Sequence, residues 1–235
     1  MKLYYNPLSN YSQKVLMGFH EKGITYTPEI VSLMDPVARA AYAKINPLGK
    51  VPMLELADGY KIPESTIILE WAEQHQRGTK LIPDDPDLAR RTRFHDRLAD
   101  LYLANPMGTL FFDGRKPPEA REPKRVADAH VTLDMMYRGL DMMLEKSSWI
   151  VGEHFTMADC SHAPPLNYLR MLKPFDEHRH LTAYANRLFE RPSWQKVMEE
   201  LGPALAKMQA LATEFESTGR TVRPVVSTSR QRTIR

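Results

Sequence analysis

The chain has 235 residues, long enough for one large domain or two small ones, and 43% apolar against 26% charged residues is the balance of a globular protein. No apolar run approaches the ~18 residues of a membrane span, and MKLYYNPLSNYSQK carries no apolar stretch after its lysine, so neither an anchor nor a secretory leader is expected. A lone cysteine, Cys160, excludes an internal disulfide framework and a CxxC redox pair, and the expected setting is cytoplasmic.

The formal charge of +3 belongs to the end of the chain. Residues 217–235 hold Arg220, Arg223, Arg230, Arg232 and Arg235 and no acid; without those five, 27 basic residues face 29 acidic ones. Such a segment reads as a solvated, disordered tail, and no nucleic-acid partner is expected.

In chain order, KLYY is a short strand. YSQKVLMGFHEKG follows as a helix with Tyr11, Val15 and Phe19 on one face and Gly23 as its stop. ITYTPEIV is a second strand, PVARAAYAKIN is helical or irregular, and VPMLEL and YKI form a hairpin over the ADGY turn. Residues 65–76 are helical, with Ile67, Ile68 and Trp71 on one side. The order is β-α-β and then β-β-α.

After RGTKLIPDDPD the strand signals stop. Helical patterns cover Leu88–Leu103, Lys124–Glu145, Thr156–Met171, Leu181–Glu190 and Trp194–Phe215, with prolines punctuating the gap between the first two. FTMADCSHAPPL opens with Thr156 as N-cap and Asp159 at the third helical position, the capping-box spacing, and Trp149 and Ile150 are expected to pack onto that helix. Pro164 and Pro165 are expected to interrupt or kink it. The expected organisation is a 1–80 α/β domain, an 87–215 all-helical domain and the 217–235 tail.

Four stretches in this order, NPLSNYSQKV, INPLGKVPMLEL, PESTIILEWAEQ and FTMADCSHAPPL, make residues 1–215 resemble a cytosolic glutathione S-transferase. The resemblance implies an α/β thioredoxin-like N-terminal domain, an all-α C-terminal domain, glutathione as co-substrate, a small electrophile as second substrate and a homodimer. It also implies a cis bond between Val51 and Pro52, which would turn the Val51 backbone toward the glutathione cysteinyl unit. Glu64 and Ser65 would hold the γ-glutamyl ammonium and carboxylate at a helix N-terminus. Read from the residues alone, Ser65 is a plain N-cap and Glu64 a solvated charge. Lys50 is the candidate for the glycine carboxylate, with Lys44 as competitor.

For the thiol-activating group the resemblance favours Ser9, six residues before Val15 and just ahead of the helix. Tyr5, at the strand end, is the rival; Ser12 and Asn10 follow. Without a cysteine at position 9, reduction through a mixed disulfide is disfavoured, and Ser9-Asn10-Tyr11 departs from the Ser-Ser-Cys turn of maleylacetoacetate isomerase-type relatives. The electrophile is expected against Leu8, Tyr11 and the Leu98–Met107 helix, with Tyr102, Met107, Phe111 and Phe112 as wall residues. Asp96 and Asp100 are expected to be solvated or paired at the surface, with a dimer contact or a reach to the glutathione of a partner subunit as the alternatives. The eight histidines lack HExxH or Cys/His spacing, so no metal is expected. The other functional class that fits is a binding or regulatory module that keeps the fold without turnover.

Overall fold

The computed structural model describes residues 1–218, with side chains through residue 206. The basic tail beyond residue 218 lies outside the described residues.

Four strands form one sheet in the order β2-β1-β3-β4: β1 Lys2–Tyr5, β2 Thr27–Ile30, β3 Met53–Glu55 and β4 Lys61–Pro63. β1 runs parallel to β2 and antiparallel to β3, and β3 runs antiparallel to β4. β2 is shorter than ITYTPEIV suggests. Strand alternation sends Leu3 and Tyr5 into the main core and Tyr4 to the opposite face, where it meets Val31, Tyr42, Val51 and Met53.

Helix α1, Asn10–Lys22, is capped by Ser9 and ends at Gly23, whose φ of 66° lets its amide reach the Phe19 and His20 carbonyls. Helix α2 spans Pro36–Ile45 and α3 spans Ser65–His75. α1 and α3 approach so closely that a Cβ on Gly18 would stand 2.5 Å from the Leu69 side chain.

The helical part comprises α4 Pro86–Leu98, α5 Asn105–Asp113, α6 Pro123–Leu144, α7 Met157–Leu172, α8 Arg179–Glu190 and α9 Pro192–Thr218. Its apolar core is continuous with that of the sheet, running from Leu3 and Phe19 to Leu133, Tyr184 and Trp194. α1 is the hinge of this packing, lying against α3 on one side and α7 and α9 on the other.

Two expectations at prolines are corrected. The pattern 88–103 is not one α-helix that ends before Pro106: a π-helical turn, Ala99–Ala104, carries α4 directly into α5. Pro106 has no amide to donate and its ring crowds the carbonyl one turn back, so the coil widens, and the Asn105 amide bonds Asp100 O instead. Pro164 and Pro165 do not interrupt α7, which runs through both. There the buried capping box of Thr156 and Asp159 holds the helix start. Asp159 also accepts from the Ile150 amide at 3.0 Å and the Tyr184 hydroxyl at 2.8 Å, so the expected packing of Ile150 on this helix is seen. Burial pushes the Asp159 carboxyl up to about 6 despite these four donors.

Candidate active site

The sheet register decides where the candidate residues meet. Tyr4 pairs with Met53 and Met53 with Pro63. The turn after β1, the loop before β3 and the end of β4 therefore emerge side by side, on strands about 4.8 Å apart. Ser9 follows the first, Val51 and Pro52 sit in the second, and Glu64 and Ser65 follow the third.

The turn before α1 is held by Asn6, which sequence reasoning passed over although Asn-Pro is a turn signal. Its Oδ1 accepts from the Leu8 amide at 2.9 Å, its side-chain amide donates to Val31 O at 2.7 Å, and its carbonyl accepts from the Ser9 amide at 2.9 Å. Tyr168 from α7 donates to Leu8 O, and Gln13 donates to Pro7 O. Ser9 is thus set in extended geometry (φ −82°, ψ 118°), and its Oγ accepts from the Ser12 amide at 3.3 Å. A hydroxyl has one hydrogen and two acceptor sites, so this cap leaves the Ser9 hydrogen to donate elsewhere. The side chain is half-buried.

The rival hydroxyls are placed differently. Tyr5 is 2% exposed and donates to Glu200 of α9; burial, then that bond, raises its pKa. Ser12 is fully buried and accepts from the Asn6 amide. Tyr11 is half-buried at the edge of a cavity, 3.4 Å from Asn105, and burial with the nearby Asp100 and Glu64 pushes it up to about 12. Asn10 lines the same cavity.

The Val51–Pro52 bond is cis, as expected. The preceding carbonyl, Lys50 O, is held at 2.8 Å by both the Tyr42 hydroxyl and the Asn46 side chain, while the Lys50 side chain is exposed. Lys44 is exposed too, in the last turn of α2.

At α3 the plain-cap reading of Ser65 is corrected. Ser65 is the first helical residue and is buried; the cap position is Glu64, whose side chain makes no cap bond. Glu64 is the one non-glycine residue at positive φ among the described residues (φ 71°, ψ 122°), and its side chain is exposed. Holding a glutamate there costs on the order of 1–3 kcal/mol, a kind of strain that clusters at ligand sites.

Behind this corner lies a cluster that sequence reasoning missed. Lys14 of α1 is 1% exposed; its Nζ stands 2.6 Å from Asp96, 2.9 Å from the Thr66 hydroxyl and 3.4 Å from Asp100. Asp96 also accepts from Thr66 at 2.7 Å and from Ser161. Asp96 is therefore not at the surface, because it is the buried counter-ion of a lysine. Asp100 is half-buried, its pKa raised by burial against the opposing pull of Lys14. The signal was present: Lys14 lies three residues from Tyr11 on the inward face of α1. Elsewhere, the His178 ring packs on Tyr137 and the His180 backbone amide donates to Asp141.

At the start of α1 opens a cavity of about 310 Å³ between that helix and α5, lined by Asn10, Tyr11, Ala104, Asn105, Gly108, Thr109 and Phe112 and by the charged residues Asp113, Lys116, Glu122 and Arg125. Of the expected wall, Tyr11 and Phe112 line it. Met107 instead belongs to the core, and Phe111 packs on Tyr168.

Comparison with known proteins bears on the family and the fold. Residues 3–80 match the family described as glutathione S-transferase, N-terminal domain, and residues 98–192 match glutathione S-transferase, C-terminal domain. The chain is 30% identical over 159 residues to a glutathione S-transferase of Pseudomonas putida, covering 68% of this chain and 70% of that one. It is 28% identical over 211 residues to glutathione S-transferase hmp2 of Hypomyces subiculosus, covering 85% and 98%. A crystal structure of a Methylobacillus flagellatus glutathione S-transferase with GSH bound superimposes with a TM-score of 0.77 at 28% identity, covering 83% and 98%.

Proposed function

The chain belongs to the glutathione S-transferase family, and on that premise we propose that it activates the glutathione thiol for attack on small electrophiles, with Ser9 as the activating group. The observation that carries the reading is the register that brings the Ser9 turn, the Val51 loop and the α3 N-terminus to one end of the sheet. Glutathione would lie across them. Its cysteinyl backbone would pair with Val51 beside Pro52, and its γ-glutamyl carboxylate would meet the Ser65 hydroxyl and the first amides of α3. Its ammonium would face the Glu64 carboxylate, and its glycine carboxylate would face Lys50.

The thiol has a free pKa of about 8.5, and the thiolate is the nucleophile. A hydrogen bond from the Ser9 hydroxyl to sulfur contributes about 1.5–3 kcal/mol to the charged form, which lowers the pKa by roughly one to two units. The dipole of α1 acts with the same sign. The proton leaves to solvent, sulfur bonds to the electrophilic centre, and a leaving group departs or the adduct takes up a proton. With a hydroperoxide the thiolate would attack oxygen, the O–O bond would break to release the alcohol, and the sulfenic acid formed would react with a second glutathione to give the disulfide and water. The reading includes a cytoplasmic setting and a homodimer; the dimer is supported by the exposed Ile67 of α3 and Phe94 of α4, whose helices are tied by Arg93 to Glu70 at 2.6 Å.

Titrating the thiol of bound glutathione by its ultraviolet thiolate absorbance tests the core of this. Ser9→Ala should raise that pKa by about one to two units, with Tyr5→Phe leaving it in place. An unmoved pKa in Ser9→Ala would remove Ser9 from the role, and sedimentation of the same sample as a monomer would remove the dimer.

A further inference from the structure

We infer that Gly108 is a specificity-determining position, reserving space for a bulky, flat, uncharged group on the second substrate. The inference rests on the transferase reading above and concerns the half of the site that glutathione leaves open. Glycine inside a helix costs about 1 kcal/mol relative to alanine, so a mid-helix glycine calls for a reason. Close packing is not the reason, because a Cβ on Gly108 would meet nothing within 4 Å. The residue is nevertheless half-buried, and the space in front of it is the 310 Å³ cavity that Asn10 and Tyr11 line at the start of α1.

Ala104, at the end of the π-helical turn, and Gly108 of α5 are four residues apart on the cavity wall, so between Asn105 and Thr109 the wall carries little side chain. Tyr11 and Phe112 supply aromatic surface on the same cavity. Gly139 of α6 shows that open space alone is not the argument: it too has nothing within 4 Å, but it faces solvent and lines no part of this cavity.

The charged part of the lining decides the charge. Lys116 is paired with Glu122 and lies 3.3 Å from Asp113, while Arg125 lies 2.9 Å from Glu122. Two cations and two carboxylates neutralise one another, so an anionic substituent would have to break pairs already made. An uncharged ring meets no such cost.

Calorimetric binding of glutathione, S-methylglutathione and S-benzylglutathione to the full chain tests this. Gly108→Val should weaken S-benzylglutathione by roughly tenfold or more, while glutathione and S-methylglutathione keep their affinities. Gly108→Ala should show a smaller loss in the same direction. Gly139→Ala should bind all three as the unmodified protein does, and both alanine variants should melt no lower than it. Unchanged S-benzylglutathione affinity in Gly108→Val overturns the inference and leaves the transferase reading standing. Equal weakening of all three ligands also overturns it, because the position would then govern the fold or the glutathione half. Failure of the unmodified protein to bind any of the three would overturn the transferase reading and this inference together.

Discussion

At the scale of single residues, Glu64 is where local chemistry and backbone geometry disagree. A glutamate at φ 71° is strained, and glycine would adopt that conformation without steric cost. The expected outcome for Glu64→Gly is therefore a split: stability rises by about 1 kcal/mol, as relieved strain outweighs the entropy of glycine, while glutathione affinity falls. Chemical denaturation and glutathione calorimetry on one preparation read both terms. A variant that bound glutathione normally would deny the carboxylate its role. PESTIILEW shows a helix start and an acidic residue beside it; the positive φ depends on how β4 enters α3 and is not written in residue types.

At the scale of an element, α7 combines a strong start with two internal prolines. The capping box was legible in FTMAD because it is a contact over three residues. The continuity of the helix through Pro164 and Pro165 was not, because it is set by packing against α1, α4 and α8. Burial of Asp159 has a consequence for pH. Its carboxyl is raised from 3.8 to about 6, so the folded state holds the proton more tightly than the unfolded chain. The contribution is complete below about pH 4 and is lost as pH rises through 6, a loss on the order of 3 kcal/mol. Stability measured between pH 4 and 7 should therefore fall relative to Asp159→Asn, which has no charge to bury. A constant difference between the two proteins across that range would show that the four donors offset the burial cost in full.

At the scale of the whole molecule, Lys14 joins the sheet-bearing half to the helical half. It extends from α1 to Thr66 at the start of α3 and to Asp96 and Asp100 where α4 passes into the π-turn. Removing one partner of a buried ion pair leaves the other charged and unpaired, so Lys14→Met should cost about 3–5 kcal/mol. The double change Lys14→Met, Asp96→Leu should recover much of that loss, since a buried pair is often no more stable than well-packed apolar residues. Denaturant unfolding of both variants and of Asp96→Leu alone checks this, and a double-variant loss equal to the sum of the two single losses would mean that the two charges are not coupled.

The sequence by itself determined the order of the strands and of every helix but α5, the hairpin, the capping box, the family resemblance and the short set of candidate ligands. Each of these rests on contacts over a few residues or on a motif at fixed spacing. Only the tertiary structure decided that the Tyr5 hydroxyl turns to Glu200, that Ser12 is sealed under Asn6, that Asp96 is the counter-ion of a buried lysine, and that Gly108 faces a cavity. The partners in those arrangements lie on different elements, up to 195 residues apart for Tyr5 and Glu200. Residue type limits what a side chain can do, but which neighbour it meets is fixed when sheet register and helix packing bring distant segments together.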